Sequence, residues 1–541
     1  MLSISRRDLM RAALGASAAA LVGCERPKLA AGGELLSQDF ATGHRLRDPN
    51  FSWTTPEKRE HVPVLIIGGG IAGLSAAWRL RRKGLDRFRI IELEAVEGGT
   101  SRSGQTESFR YPWAAHYITT PMASNIDLID LLKEMGVVEG LSSEGEPIVG
   151  EQWLCREPEE RLYQAGTWVD GLYPSIGADE EDLREMREFQ EAMKVWAEKR
   201  DASGRRLFTI PIAACSDDTE ARELDQLSML EWMQRQGWSS SRLTWYVDYA
   251  CRDDYGLPID RTSAWAGVFY FASRLRPAAA YPQDVITWPA GNGFIVDYLK
   301  NQCRERLVLN QMAFRMEPAQ PENEASVVKV DVFDKVQNEV IGLSADRVIF
   351  AAPQFVAKRM LGQPAGLTDR SAFQYGAWIT ANVHLRSRPR ELLGAAMAWD
   401  NVIYDSKSLG YVVSTHQTGA DYGPTVITWY YPITDTLPQS AREQLLKLEW
   451  HDWADICLTD LEQAHEDIRG LITRIDIMRW GHAMIQPVTG FMWSDARRRA
   501  AEPIGRIHFA NTDLSGIPLM EEAFHHGLRA ADEVLSGISS Q

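Results

Sequence analysis

The sequence contains few cysteines, and none of them stands in a pattern that binds a metal ion. Six cysteines occur in 541 residues, without a C-x-x-C pair or a combined Cys/His spacing. After Cys24 they are scattered along the chain, at Cys155, Cys215, Cys251, Cys303 and Cys457. This distribution argues against a disulfide framework, although a single bridge stays open, and it predicts no metal site. No Ser/His/Asp arrangement is recognisable either.

Positive charge is also in short supply. The chain has 58 Lys and Arg residues against 74 Asp and Glu residues, which gives a net charge of -16. An acidic surface argues against nucleic acid and against anionic lipid headgroups as partners. It is compatible with a cationic substrate, although overall charge does not locate a site.

Beyond the first 24 residues, the sequence lacks an apolar run long enough to cross a bilayer as a helix. We therefore expect no transmembrane helix in the mature protein. Hydrophobic residues make up 45% of the chain. That content is enough for a large core, and the length suggests two or more domains.

The first 24 residues have the pattern of an export signal. Residues 5–10 read S-R-R-D-L-M, a twin-arginine motif, and the Ala-rich stretch 12–22 follows. Residues 21–24 read L-V-G-C and resemble a bacterial lipobox, with Cys24 as the lipidated residue. These signals predict export by the twin-arginine route and a periplasm-facing lipoprotein that reaches the membrane only through its lipid anchor. The alternative is a helical or disordered N-terminal arm.

The stretch around which the chain is organised begins at residue 62. Residues 62–67 form a nearly unbroken apolar run, typical of a strand buried on both faces. Gly68, Gly70 and Gly73 then spell G-x-G-x-x-G, and residues 74–81 continue with helical spacing. Gly68 permits the tight turn, Gly70 lets the backbone approach a diphosphate, and Gly73 lets the helix pack close to the strand.

A second strand, 88–91, ends in Glu92, at the spacing expected of a carboxylate that binds ribose hydroxyls. Together these features predict a dinucleotide site rather than a bare glycine turn. Its candidate cofactor-binding residues are Gly68, Gly70, Ile71, Ala72, Gly73, Glu92, Leu93, Gly98, Gly99 and Arg102.

On these residues the chain resembles the flavin amine oxidase and protoporphyrinogen oxidase-like superfamily. Its opening I-G-G-G-I-A-G-L and the later I-I-E-L-E-A-V-E-G-G resemble the FAD-binding motifs of the family. The family usually has an arginine directly after the Gly-Gly pair, and here Arg102 follows two residues later. Three further segments resemble the family: W-P-A-G-N-G at 288–293, V-I-F-A-A-P at 348–353, and R-W-G-H-A-M-I-Q-P at 479–487. The resemblance implies non-covalent FAD, with Asp513 near the ribitol or diphosphate. It also places the helix start at Met520 and Glu521 against the flavin.

The fold class that the resemblance implies is α/β, with a Rossmann-like FAD-binding domain, mostly parallel, and a discontinuous α+β substrate domain. After the signal 1–24 and a tether and irregular arm 25–61, the FAD-binding domain takes residues 62–125, 286–375 and 475–541. The substrate domain takes residues 126–285 and 376–474, including a long helix over 441–464. Its sheet would form the floor under the flavin.

The resemblance implies an exported enzyme that removes hydride from a carbon next to nitrogen in a small amine. Aromatic rings that face a flavin can hold an amine by cation–π contact. The candidate catalytic residues are His116, Trp429, Tyr431, Trp480 and His482, with Trp288 and Tyr430 as further pocket residues. Since the chain has 18 tryptophans, about half of these residues would be core instead. The alternatives are a desaturase or oxidase of an isoprenoid or porphyrinogen-like molecule, and a lipid-anchored FAD-binding partner without catalysis.

Many amine oxidases of the superfamily carry a lysine that helps the reduced flavin to react with oxygen. The matching strand, 378–385, has no lysine, and Asn382 or a neighbour stands in its place. This departure predicts a dehydrogenase that passes electrons to a membrane component or a redox protein, unless a lysine from elsewhere, such as Lys407, fills the position.

Overall fold

A computed structural model describes residues 31–48, 50, 53–276, 284–320, 326–362, 371–391 and 393–539. The predicted signal, with Arg6, Arg7 and Cys24, lies outside these residues. Among the described residues, no helix combines the length and the apolar composition that a membrane span requires. The five described cysteines are free thiols.

The structure has two main sheets among its described residues, and we call the first the nucleotide sheet. Its central strand is the apolar strand Arg59–Ile67. That strand lies parallel to Phe88–Ile91 on one side and to Glu339–Phe350 on the other. The remaining strands of this sheet are Leu307–Val308, Val328–Asp334, Gln311–Glu317 and Ile507–Phe509. Because the central strands are parallel, their carboxyl ends meet at one edge, where an open α/β sheet binds its ligand.

Three helices cover one face of the nucleotide sheet. Helix Ile71–Arg82 packs against the terminal helix Met520–Ser539 and against helix Gly293–Cys303. Gly527 lies at this contact, since a Cβ there would come within 2.3 Å of the Ala72 carbonyl oxygen. The two long helices therefore approach closely, which holds the start of the terminal helix near the glycine loop.

The second sheet, here called the large sheet, is mixed and has eight strands among the described residues. Its order is Leu35–Ser37, Ile472–Ile485, Tyr375–Leu385, Thr425–Pro432, Tyr411–Val413, Asp400–Ile403, Glu160–Gln164 and Thr167–Asp170. Helices Pro438–Lys447 and Trp450–Leu461 pack on one of its faces. The opposite face carries an aromatic cluster that includes Trp113, Trp378, Tyr430 and Trp480.

The remaining elements are short strands and helices around the two sheets. Three two-stranded pieces are formed by Val285–Thr287 with Tyr117–Thr119, Ser103–Gln105 with Arg110–Pro112, and Val138–Leu141 with Pro147–Val149. The other helices are Phe40–Gly43, Ile126–Glu134, Glu180–Glu198, Thr219–Glu223, Met229–Arg235, Ser241–Tyr255, Ala264–Ala272, Gln354–Leu361, Ile468–Leu471 and Asp495–Arg499.

The structure corrects three expectations about these segments. The arm is not irregular throughout, because Leu35–Ser37 pairs in parallel with Ile477 to Arg479. The boundary placed at residue 475 cuts the strand Ile472–Ile485, which lies wholly in the large sheet. The helix expected over 441–464 is two helices, since the Asp452 carboxylate accepts the Glu449 N–H at 2.9 Å and begins the second one. The division into two domains itself stays a prediction.

Candidate functional site

The glycine loop sits at the carboxyl edge of the nucleotide sheet. Gly68 has a φ of +112°, and a Cβ on it would lie 2.8 Å from the Ala351 carbonyl oxygen. A Cβ on Gly73 would lie 1.9 Å from the Gly68 carbonyl oxygen, so the helix abuts the strand. Gly70 differs, because a Cβ there would meet nothing within 4 Å. The space in front of Gly70 is therefore open, at the N-terminus of helix Ile71–Arg82, whose first N–H groups, including those of Ile71 and Ala72, lack intrahelical acceptors.

A second glycine turn lies beside the first. The Gly98 N–H donates to the Gly69 carbonyl at 2.9 Å, and Gly70 and Gly98 form an isolated β-bridge. Gly98 and Gly99 have φ values of +100° and +58°, which other residues rarely adopt. The two turns make one cradle of backbone.

Glu92 leaves the second strand at the same edge. Its carboxylate accepts the Gly69 N–H at 2.6 Å and the Glu94 N–H at 2.8 Å, one bond on each oxygen. Burial raises the pKa of this carboxyl. Each oxygen keeps a lone pair for a ribose hydroxyl. Leu93, the next residue, packs in a small apolar cluster with Trp53 and Phe314.

Arg102 joins the cradle to the large sheet. Its guanidinium lies 3.8 Å from the Glu94 carboxylate, 5.1 Å from the centre of the Trp480 ring, and 3.4 Å from the Met478 sulfur. Burial lowers the pKa of this group. Despite its displacement in the sequence, Arg102 therefore stands between the glycine turns and the aromatic face of the large sheet.

The predicted C-terminal contacts lie at the same edge. The Asp513 carboxylate accepts the Gln354 N–H at 2.7 Å and the Tyr375 hydroxyl at 2.6 Å. Met520 and Glu521 are buried at the first residues of the terminal helix. A helix N-terminus placed here stabilises negative charge in front of it.

These residues fit FAD. The open space at Gly70, the unpaired N–H groups of the helix start, and the Glu92 carboxylate match a diphosphate and a ribose in order. The terminal helix points its positive end at the region between the two sheets, where the flavin ring would lie.

An aromatic group borders this region from the large sheet. The His116 ring lies 4.8 Å from Tyr430, 5.3 Å from Trp399 and 5.2 Å from Tyr117, measured between ring centres. Tyr430 donates to the Ala114 carbonyl at 2.9 Å, which ties the loop of His116 to the sheet. Burial lowers the pKa of His116 to about 4, so the imidazole is neutral at neutral pH.

Acidic side chains border the same group; we call this region the acidic cavity. Asp400 and Glu160 are paired neighbours on parallel strands, and the Tyr249 hydroxyl donates to Asp400 at 3.3 Å. Burial raises the pKa of Glu160 to about 7, with the charges of Glu159 and Asp253 adding to the effect. Yet Glu160 keeps more than a third of its surface open. The Glu160 side chain is therefore accessible, although the protein around its carboxyl disfavours the charged form.

Asp253 is the least restrained of these acids. It forms no hydrogen bond or ion pair with the described residues, while burial and the neighbouring Asp254 raise its pKa to about 7. Burial, followed by the charges of Asp253 and Glu160, raises the pKa of Asp400 as well. Several carboxyl groups thus lie close enough for their charges to raise one another's pKa, while the charges of Arg274 and Arg252 act on Asp253 in the opposite direction.

A buried ion pair connects the acidic cavity to the terminal helix. Arg274 lies 2.6 Å from Asp254, with side chains 12% and 4% exposed. Glu521 is close enough to both for their charges to act on it, and burial raises the pKa of Glu521 to about 7. The charges of Arg274 and Asp254 therefore act both on Glu521, at the start of the terminal helix, and on Asp253 in the acidic cavity.

Two of the predicted catalytic residues, Trp429 and Tyr431, lie on the wrong face of the large sheet. Trp429 donates to Asp460 at 2.7 Å and stacks on Tyr431, among the side chains covered by the helices. Alternation along the strand puts Tyr430 on the opposite face, with His116. Of the three consecutive aromatics, only the middle one borders the acidic cavity.

Three other aromatic predictions are corrected as well. Trp288 is 3% exposed and stacks on Phe294 in the core beside the nucleotide sheet. Trp480 lies on the same face of the large sheet as Tyr430, but it is only 1% exposed. Its indole N–H donates to the Thr380 hydroxyl at 3.2 Å, so Trp480 packs in the core on this face. His482 is not near His116; its ring stacks on Phe355 at 4.2 Å.

The strand without a lysine lies under the loop of His116. Asn382 is fully buried, donates to the Pro112 carbonyl at 3.2 Å and accepts from the Thr428 hydroxyl at 2.7 Å. Lys407 does not approach this place, because it is 70% exposed and pairs with Asp435 at the surface.

The acidic cavity was missed by the sequence reasoning, although one signal was present. Trp245, Tyr249 and Asp253 stand four residues apart in helix Ser241–Tyr255, so they share one face. An aspartate on an aromatic helix face is a polar group that requires a reason. Glu160 and Asp400 carry no such local signal.

A family model and one characterised relative each match most of the chain. A profile of the family described as flavin containing amine oxidoreductase matches residues 71–535. The oxidoreductase PigB of Serratia sp. (strain ATCC 39006) is 23% identical over 549 residues, covering 90% of this chain and 78% of that protein.

Solved structures share the fold at low identity. Putrescine oxidase with putrescine bound superimposes with a TM-score of 0.65 at 17% identity, covering 88% of this chain and all of that one. A fatty acid isomerase from P. acnes that produces CLA gives a TM-score of 0.61 at 14% identity, over 87% of this chain and 98% of that one. The fold is thus shared by proteins whose substrates differ, and the cavity must decide the substrate.

Proposed function

Because the chain belongs to the family of flavin containing amine oxidoreductases and is an FAD-dependent oxidoreductase, we propose that it oxidises the C–N bond of a small cationic amine. The observation that carries this proposal is the acidic cavity, in which Asp253, Asp400 and Glu160 stand beside aromatic rings. Carboxylates and ring faces are the two groups that attract an ammonium ion most strongly in a protein interior.

FAD supplies the hydride acceptor for such a reaction, and the chain supplies binding, orientation and the exclusion of water. An ammonium nitrogen must lose a proton before its neighbouring carbon gives up hydride. Asp253, with a pKa near 7, accepts that proton more readily than an ordinary aspartate. His116, Tyr430 and Trp399 would hold the apolar part of the amine against the site.

The proposal is tested by mixing the oxidised enzyme with candidate substrates without oxygen and following the loss of flavin absorbance. The panel pairs a monoamine and a diamine with an alcohol of equal chain length, a polyene and a porphyrinogen. We expect reduction by an amine and none by the alcohol. Reduction by the polyene or the porphyrinogen alone would establish the alternative substrate class and refute the amine.

We infer that the enzyme is a dehydrogenase. The support is the strand Tyr375–Leu385, which has no lysine although many members of the family carry one on the matching strand. Asn382 or a neighbour stands in its place, and Asn382 is a neutral amide held by two hydrogen bonds. A cation stabilises the negative charge that develops when oxygen takes electrons, and a neutral amide does so much less. The enzyme is reduced without oxygen and then mixed with air-saturated buffer. Return of the oxidised spectrum at the rate of turnover, with one equivalent of peroxide, would show an oxidase.

We further propose that the protein is exported by the twin-arginine route and held at the membrane through Cys24. The support is the motif at residues 5–10 followed in register by the lipobox at 21–24. Changing Arg6 and Arg7 together to Lys should keep the protein in the cytoplasm. Cys24→Ser should release it from the membrane fraction or leave the leader uncleaved; unchanged fractionation argues against lipidation.

A further inference from the structure

Cationic side chains cluster on one surface of this acidic protein. Arg47, Lys358 and Arg359 are exposed, and Arg442 is half-buried beside them. The Arg47 guanidinium lies 2.9 Å from the His44 ring nitrogen, and Arg442 donates to the Tyr375 carbonyl at 3.3 Å. We call this surface the basic patch; it consists of His44, Arg47, Lys358, Arg359, Arg442 and His482.

The arginines of the basic patch lack acidic partners. Across the described ranges, no carboxylate oxygen lies within 4 Å of Arg47, Arg359 or Arg442, whereas arginines elsewhere are paired, such as Arg156 with Asp421 at 2.7 Å and Arg469 with Glu462 at 2.6 Å. Burial and then the surrounding cations lower the pKa of His482 to about 3. The cations Arg47, Lys358, Arg359 and Arg442 repel one another in the free protein, so an anion placed here is attracted by these four side chains.

The basic patch lies at the edge of the nucleotide sheet that holds the cofactor cradle. Helix Gln354–Leu361, which carries Lys358 and Arg359, begins four residues after the strand Glu339–Phe350 ends beside Gly68. Tyr375 bridges the remaining distance. Its hydroxyl donates to Asp513 at 2.6 Å, and its ring lies 5.1 Å from Phe355 and 5.7 Å from His482. One ring contact and one hydrogen bond thus separate His482 of the patch from Asp513, which is predicted to face FAD.

We propose that the basic patch is the docking surface for an acidic electron-carrier protein that reoxidises the enzyme. The proposal rests on the dehydrogenase function inferred above and identifies the acceptor by its charge. The chain carries a net charge of -16, so an acidic carrier is repelled by most of the surface and directed to this one region. Oxidation of one amine delivers two electrons, so two molecules of a one-electron carrier are reduced and the protons pass to solvent.

The test compares two variants with the same change in net charge. Arg47→Glu with Arg359→Glu reverses the patch, and Arg390→Glu with Lys329→Glu reverses two exposed cations elsewhere, 89% and 53% exposed. Each holoenzyme is reduced with dithionite under argon, so the result does not depend on the amine. Reoxidation is then followed by stopped flow with oxidised plastocyanin, an acidic carrier, and with mitochondrial cytochrome c, a basic one.

We expect the patch variant to react at least about tenfold more slowly with plastocyanin than the wild type, because charge steering of this kind raises association rates by about 10 to 1,000 times. The slowing should be absent with cytochrome c, and the control variant should stay within about twofold. Titration calorimetry of reduced plastocyanin against the oxidised enzyme should show the same loss of binding, a readout independent of turnover.

Four results would overturn the proposal. The wild type could react with plastocyanin no faster than with cytochrome c, or the control variant could slow down as much as the patch variant. The patch variant could lose FAD, measured as flavin per protein, which would assign the patch to the cofactor's phosphates. It could lose only binding to vesicles of anionic phospholipid, which would assign the patch to a membrane. Fast reoxidation by oxygen refutes the dehydrogenase separately and is measured without any carrier.

Discussion

Replacing Asp253 by Asn should reduce the pH dependence of amine binding. Asp253 lies in the acidic cavity without a hydrogen-bond partner among the described residues, and its pKa is raised to about 7. A bound ammonium ion requires the ionised carboxylate, which is the minor form at pH 6 and the major form at pH 8. For one group with this pKa, the ionised fraction rises about tenfold over that interval. The wild type should therefore bind a cationic amine about tenfold more tightly at pH 8 than at pH 6.

The size of the loss in Asp253→Asn follows from the contact that disappears. A hydrogen bond between two charged groups contributes about 1.5–3 kcal/mol, which corresponds to about 10 to 150 times in Kd. Asp400 and Glu160 remain in the cavity and retain part of the attraction, so we expect the lower end. The variant should bind about tenfold more weakly at pH 8. Its affinity should change less between pH 6 and pH 8 than that of the wild type, because only Glu160, with a pKa of about 7, and Asp400 still titrate beside the amine.

The assay uses a primary amine whose nitrogen is attached to a tertiary carbon. Because this carbon has no hydrogen, the amine binds and is not oxidised. Its pKa lies far above both pH values, like that of a lysine, and its own charge stays constant. Binding is read from the shift of the oxidised flavin spectrum. Asp435→Asn, at an exposed aspartate, is the matched control. Equal Kd values at pH 6 and pH 8 in the wild type, or equal weakening in the control, would refute the reasoning.

Three further predictions concern the cradle and the cavity. Gly70→Val should fill the open space in front of the loop and yield folded apoprotein; a purified variant with full yellow colour would exclude a diphosphate at this place. Trp480→Ala should lower the free energy of unfolding by about 3–5 kcal/mol, because the ring is buried, and denaturant titration that finds less than about 1 kcal/mol would show it is not core. As pH rises from about 5 to 8, the wild type should lose folding free energy, because the raised pKa of Glu160 means that its ionisation disfavours the folded state. The variant Glu160→Gln has no such group, so its stability relative to the wild type should increase over this range. A constant difference in Tm between the two proteins across this range would contradict that sign.

Local patterns predicted the parts of the fold that depend on local geometry. The glycines of the loop are required by the turn and by the approach of helix to strand, both of which involve residues close in sequence. Glu92 follows from the same unit, because the second strand lies next to the first. The helix break at residue 449 was missed, since a single capping interaction decided it against a continuous helical pattern.

The sequence by itself determined the nucleotide cradle and the cofactor, because these depend on residues within one βαβ unit. It also indicated the family, because the family's further motifs are short runs of consecutive residues. Only the tertiary structure decided which side chains line the proposed substrate cavity. Alternation shows that Tyr430 opposes Trp429 and Tyr431, but which face looks into the cavity depends on helices that cover the other one. Glu160, Asp253 and Asp400 come from three distant segments. Glu160 and Asp400 meet because their strands pair in parallel. Helix Ser241–Tyr255, which carries Asp253, contacts the strand of Asp400 through the hydrogen bond from Tyr249. No local pattern in the sequence encodes such long-range pairing.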